Sequence, residues 1–146
     1  MMKKSGGVYT DHSFPVRALP GPLVVAAPTM HLQAMTKYLI SFPSDALVLT
    51  DAEFPIVSAD AHAVIEEARA AGVYVFGGGI AEQVAPVLVS ADGSVSAEIY
   101  PGSELTGGFT VLELPSREDA VEWARKIAAA CRCAQELREF MYDPAS

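Results

Sequence analysis

Few side chains in this sequence of 146 residues are of a type that could do chemistry. His62 is the candidate for catalysis, because we predict that it lies in the first turn of a helix, close to Asp60. The helix dipole disfavours a protonated imidazole at that position, so a neutral His62 could act as a base. The alternative is that His62 is a surface histidine without a role. We therefore expect His62 to be the catalytic residue if the protein is an enzyme.

The candidates for ligand binding lie on a loop and on a later strand. Tyr100 and Glu104 belong to a polar loop, residues 100–106, that connects two predicted strands. Such a loop can line the mouth of a pocket, and a solvated hairpin connection is the alternative. Arg138 stands between glutamates on a predicted strand. Its guanidinium either forms an ion pair with a glutamate or binds a ligand carboxylate through its planar fork.

No pattern in the sequence predicts a metal or a cofactor. Cys131 and Cys133 are the only cysteines, and a C-x-C pair lacks the second half of a zinc signature. They are typical of small residues that close a helix, with metal or redox chemistry as the alternative. The glycines at 77–79 are followed by neither a helix nor Lys-Ser/Thr, so phosphate-loop and dinucleotide patterns fail. We interpret them as a loop or bulge between strands.

Composition and charge narrow the class of protein. The chain is 51% hydrophobic and 19% charged, which is typical of a compact folded domain. A net charge of -8 argues against nucleic acid or an anionic membrane as the main partner. No apolar run approaches the roughly 18–20 residues that span a bilayer. We expect a cytoplasmic protein with a small-molecule ligand.

Two regions differ along the chain. Residues 1–34 are rich in glycine and proline without a regular period, which predicts an extended or disordered N-terminal arm. Residues 35–144 carry the regular patterns of one domain. Strands are predicted at 37–42, 73–76, 84–89, 95–100, 109–114 and 135–141.

Two helices complete the predicted order, β-α-β-β-β-β-α-β. The first covers about 59–71, opened by Ser58 as its cap and closed by Gly72. The second covers about 117–130, opened by Ser116. Two helices on one face of a largely antiparallel sheet make an α+β fold close to the ferredoxin-like plan. The other face of the sheet stays uncovered, so we expect a homodimer.

Several short stretches carry a likeness to a known family. They are residues 35–40 in the first strand, the helix-to-strand step at 70–73, the turn at 92–93, the strand and helix at 105–123, and the last strand at 136–138. In this order they resemble the YCII-related family, particularly its DGPF-type branch. The likeness covers about three quarters of the chain.

The resemblance implies a dimeric α+β barrel in which two ferredoxin-like sheets pack face to face. It also implies a small-molecule enzyme, or a degenerate enzyme, for aromatic or lactone-like compounds. The alternative that it implies is a non-catalytic ligand-binding or regulatory dimer, linked to transcription. His62 falls near the histidine that the family carries in its first helix, and Tyr100 falls roughly where the family has an aspartate. The D-G-P-F sequence itself is replaced by residues 98–101 or their neighbours.

Overall fold

The computed structural model describes Gly21 and residues 34–146. The elements, in chain order, are β1 (Thr36–Phe42), α1 (Phe54–Ala70), β2 (Tyr74–Gly79), β3 (Leu88–Val89), β4 (Val95–Ser96), β5 (Gly108–Leu114), α2 (Arg117–Cys131) and β6 (Glu136–Glu139). This order confirms the one predicted from the sequence. The predicted N-terminal arm, residues 1–34, lies outside the described residues except for Gly21 and Ala34.

The main sheet has four strands in the order β2-β5-β1-β6, and every neighbouring pair is antiparallel. Strands β3 and β4, which follow β2 and precede β5 along the chain, form a separate two-stranded sheet. Each helix connects an inner strand of the main sheet to an edge strand. The protein therefore has an α+β fold with two helices and an antiparallel sheet, compatible with the ferredoxin-like arrangement.

One face of the sheet packs on both helices. The buried core combines residues that alternate along β1 and β5 with small or aliphatic residues of the helices: Tyr38, Ile40, Leu112, Leu114, Ala68, Ala120, Ile127 and Cys131. Because successive strand residues point to opposite faces, this alternation leaves the other face of β1 and β5 without helices. Trp123 is half-buried against the core, and Lys126 lies 4.6 Å from the centroid of its ring.

The start of α2 confirms its predicted cap. The hydroxyl of Ser116 accepts a hydrogen bond from the backbone N–H of Asp119 at 3.1 Å and donates one to the Asp119 carboxylate at 2.9 Å. This satisfies an N–H group that has no partner within the helix. The acidic side chain also lies at the positive end of the helix dipole.

The start of α1 corrects the prediction that Ser58 caps it. The helix begins at Phe54, and Pro55 lies in its first turn, where a fixed φ and a missing N–H are tolerated. Just before it, Thr50 and Glu53 exchange hydrogen bonds as in a capping box: the Thr50 N–H donates to Glu53 at 2.9 Å, and the Glu53 N–H donates to Thr50 Oγ1 at 3.3 Å. Ser58 is therefore inside the helix. The closing glycine, Gly72, has the predicted left-handed conformation, with φ 72°.

The glycines at 77–79 also differ from their predicted role. They continue β2 and pair with β5, rather than forming a loop. The irregularity lies just before them: Tyr74 pairs with Leu112 and Phe76 pairs with Val111, so Val75 is an extra residue in a β-bulge. The bulge sets which residues of β2 face the helices.

Candidate functional site

The four predicted site residues lie in three separate cavities. His62 lines a cavity of about 580 Å³ between α1 and the main sheet, which we call the helix-side cavity. Glu104 and Arg138 together line a cavity of about 400 Å³ on the face of the sheet without helices, the sheet-face cavity. Tyr100 lines a third, of about 380 Å³, formed around β3 and β4, the hairpin cavity. The structure therefore brings Glu104 and Arg138 together but separates them from His62 and Tyr100.

The helix-side cavity has mostly apolar walls. The apolar side chains that line it come from β1, β2, both helices and the segment before α1: Ile40, Phe42, Leu47, Phe54, Ala61, Val64, Ile65, Tyr74 and Ile127. Its polar lining includes His62, Arg69, Glu82 and Gln135. Apolar walls with a few polar groups are typical of sites that bind small organic molecules.

Glycines form one wall of this cavity, where β2 meets β5. A Cβ atom on Gly77 would lie 3.1 Å from Tyr74 Oη and 3.2 Å from the Phe109 carbonyl oxygen. A Cβ atom on Gly108 would lie 2.6 Å from the ring of Phe42. Larger residues at either position would have to displace these neighbours. The glycines therefore leave this wall bare and let the Phe42 ring lie close to the strand.

The position of His62 within α1 removes the argument from the helix dipole. His62 lies more than two turns after Phe54, whereas the dipole acts mainly within the first turn. Its Nδ1 atom is 3.5 Å from Ser58 Oγ, at the limit of a hydrogen bond. In residues 34–146, no carboxylate hydrogen-bonds to this imidazole. His62 therefore lines the cavity with no carboxylate among the described residues to orient it as a base.

Arg69 supplies a positive charge to the same cavity. Its side chain is half-exposed and paired with Glu66. Its guanidinium also lies 4.7 Å from the centroid of the Tyr74 ring, a cation–π contact that holds it against the cavity wall. A guanidinium fixed in this way can bind a carboxylate or carbonyl oxygen at the mouth of the cavity.

Cys131 lines the cavity from the last turn of α2. Burial raises the pKa of its thiol, and the neighbouring Cys133 raises it further. A thiol with a raised pKa stays protonated near neutral pH, and the protonated thiol is a poor nucleophile. Burial also raises the pKa of Cys133, whose Sγ lies 3.4 Å from the amide nitrogen of Gln135. The geometry gives Cys131 a packing role at this wall.

The sheet-face cavity is lined by two of the predicted site residues, Glu104 and Arg138. Arg138 donates a hydrogen bond to Glu136 at 2.6 Å, which confirms the predicted ion pair. Glu104 reaches the same cavity from the loop before β5, and the almost buried Ser41 lies in its wall on β1. Binding of a ligand carboxylate by Arg138, the alternative to the ion pair, stays a prediction.

Three residues of the helix-side cavity were missed by reasoning from the sequence. Tyr74 and Arg69 meet across a helix-to-strand step, and Gln135 comes from the turn after α2. A local pattern does not show such contacts, because they depend on how α1 packs on β2. The glycines at 77–79 were the available signal, since a strand without side chains leaves space beside it.

Comparison with known proteins found no match: the chain matches no protein-family model and no curated protein. Within the part of the chain that the structure describes, no three His, Cys, Asp or Glu side chains lie where they could hold a metal ion. Over the same residues, neither helix is long and apolar enough to cross a membrane.

Proposed function

We propose that this protein binds a small, largely apolar organic molecule in the helix-side cavity and works as a YCII-like homodimer. The observation that carries the proposal is the cavity itself, with about 580 Å³ between α1 and a bare glycine wall. Ligand pockets in proteins usually measure about 300–1,000 Å³ and are mostly apolar. The volume and lining therefore fit a molecule with one or two rings.

The chemistry of the walls favours an aromatic or lactone-like ligand. A flat ring can lie against the bare glycine wall and the aliphatic side chains of α1. Arg69 and Gln135 then offer hydrogen-bond donors to a carboxylate or carbonyl group of the ligand. The resemblance to the YCII-related family implies the same class of ligand.

The test of binding is a thermal-shift screen with aromatic acids, phenols and lactones. We expect at least one class to raise Tm, because a ligand that binds only the folded state stabilises it. Ala61→Phe, which places a ring in the cavity, should remove that shift. Ala63→Phe on the exposed side of the same helix should keep it. Circular dichroism confirms that both variants fold, and no shift with any compound would contradict the proposal.

The uncovered face of the sheet supports the homodimer. Leu39, Phe109 and Val111 are half-buried on it, and Phe76 is 64% exposed beside them. An apolar sheet face of this kind favours a second copy as its cover. Light scattering should then give twice the chain mass of 15.4 kDa.

Two glutamate substitutions test where the second copy lies. Phe76→Glu should shift the protein to a monomer, because it places a charge on the uncovered face. Ile56→Glu is the matched control, since Ile56 is 55% exposed but belongs to α1. A wild-type protein that stays a monomer at micromolar concentration would contradict the homodimer.

Catalysis by His62 is a second candidate function, because the imidazole lines the cavity. Once a ligand is found, NMR of the mixture shows whether the protein converts it. General-base catalysis typically contributes about 10²–10⁴-fold, so His62→Ala should slow conversion by that factor. Asp60→Ala, an exposed change on the same helix, should leave the rate unchanged. A ligand that binds and is never converted would contradict catalysis and would support a protein that only binds its ligand.

A further inference from the structure

The chain between β2 and β5 exposes eight large hydrophobic residues. We call residues 80–107 the hairpin segment; its base is closed by a hydrogen bond of 2.8 Å from the Ile80 N–H to the Gly107 carbonyl oxygen. Its exposed large hydrophobic residues are Ile80, Val84, Val87, Val89, Val95, Ile99, Tyr100 and Leu105. Their exposed fractions run from 39% at Ile99 to 74% at Tyr100. Hydrophobic residues concentrated in this way mark interaction sites.

These side chains border a groove and are not scattered singly. The hairpin cavity, of about 380 Å³, is lined mainly by Ile80, Val84, Pro86, Val87, Leu88, Ile99, Tyr100 and Leu105. Glu82, Ser103 and Thr106 are the other residues that line it. A groove with these walls can receive two or three apolar side chains of a partner and places one carboxylate beside them.

The charge of the segment is of one sign. It contains Glu82, Asp92, Glu98 and Glu104, and the sequence has no Lys, Arg or His from residue 70 to residue 116. None of the four carboxylates forms an ion pair with any described residue. The five described arginines and Lys126 each pair with a glutamate elsewhere. The hairpin segment therefore combines an apolar groove with carboxylates that form no ion pair with a described residue.

We propose that the hairpin segment docks a peptide segment of another protein in which apolar residues alternate with Lys or Arg. The groove takes the apolar side chains, and the carboxylate of Glu82 in its wall, with the other carboxylates of the hairpin segment, attracts the cations. A second copy fits less well, because the same segment would set its own carboxylates against these. An acidic surface also repels nucleic acid and anionic lipid.

The test uses three fluorescein-labelled peptides of 14 residues with the same valine and leucine content. Lysine, glutamine or glutamate fills the positions between the apolar residues. Fluorescence anisotropy with the full chain should show tight binding of the lysine peptide. The glutamine peptide should bind roughly tenfold more weakly, since two or three exposed charge contacts are lost. The glutamate peptide should not bind, and added salt should weaken only the lysine peptide.

Paired variants assign the binding to this surface. Val87→Ser with Tyr100→Ser should weaken the lysine peptide about tenfold or more, because both side chains line the groove. Both residues are well exposed, so the fold should persist. Glu82→Gln with Glu98→Gln should make the lysine and glutamine peptides bind equally. The matched control, Glu66→Gln with Glu122→Gln, removes the same charge from the helices and should change affinity less than twofold.

Two results would overturn the proposal. The first is equal weakening by the segment variants and by the helix control, which would mean that net charge alone attracts the peptide. The second is an oligomer that Val87→Ser with Tyr100→Ser dissociates in light scattering, which would assign the groove to a second copy of this chain.

Discussion

Aliphatic side chains are buried in one part of the protein and exposed in another. We call residues 36–79 and 108–139 the compact part, and compare it with the hairpin segment. In the compact part, leucine and isoleucine such as Leu112 and Ile40 are buried beneath the helices. In the hairpin segment, Leu105 and Val87 are mostly exposed. Charges differ in the same direction. Six of the eight glutamates in the compact part pair with arginine or lysine, and those of the segment have no such partner among the described residues.

The contrast separates two uses of apolar surface. Area removed from water within the chain stabilises the fold, at roughly 25 cal/mol per Å². Apolar area that stays exposed contributes nothing to folding and is free for binding. We therefore expect substitutions in the compact part to change the free energy of unfolding, and substitutions in the hairpin segment to change binding instead. Matched pairs of variants test this division.

The largest contrast should come from two leucines. Leu112→Ala removes a side chain with no exposed surface from the centre of the core and should lower the free energy of unfolding by about 2–5 kcal/mol. Leu105→Ala removes one that is 70% exposed and should change it by less than about 0.5 kcal/mol. Urea denaturation measures both. A comparable loss for Leu105→Ala would show that the segment is packed as tightly as the core.

Two glycines with positive φ give the next contrast. Gly107 has φ 74°, and a Cβ there would lie 2.1 Å from the Phe42 carbonyl oxygen. Gly107→Ala should therefore cost about 2–3 kcal/mol through strain and displacement of β1. Gly93, in the turn between β3 and β4, has φ 86° with no atom within 4 Å of a Cβ. Gly93→Ala should cost only the backbone strain, about 1 kcal/mol, and an equal loss for the two would mean that the close approach at Gly107 is relieved at no cost.

Two serines give the smallest contrast. Ser116→Ala removes the cap of α2 and should lower stability by about 1 kcal/mol. Ser94→Ala removes a hydroxyl that donates to Asp92 in the exposed turn of the hairpin segment, where water can replace it. We expect no resolvable change in Tm for Ser94→Ala. A clear loss there would show that the turn contributes to the cooperative fold.

The sequence predicted the elements whose signals are local. The strand before α2, the Ser116 cap and the order of elements all follow from patterns within a few residues. The start of α1 was missed because two capping signals compete, one at Ser58 and one formed by Thr50 and Glu53. The capping box before Pro55 is the one that the structure uses.

The site was harder to predict because its walls come from distant parts of the chain. His62 was singled out for a position at the helix start that it does not have. Arg69 belongs to no motif in the sequence, and the fold places it beside the ring of Tyr74 on the next strand. Glu104 and Arg138 line the same cavity although one belongs to the loop before β5 and the other to β6. Contacts of this kind depend on packing that no short pattern contains.

The bulge at Val75 determines whether the helix-side cavity exists. If β2 paired regularly onward from Tyr74, Phe76 would oppose Thr110 instead of Val111, and its ring would point beneath α1. The phenylalanine would then fill the space that the glycines now leave bare. The volume of the helix-side cavity therefore depends on which face of the sheet Phe76 occupies. A protein engineer could close the cavity by shifting the pairing of β2 with β5 by one residue, without enlarging any side chain.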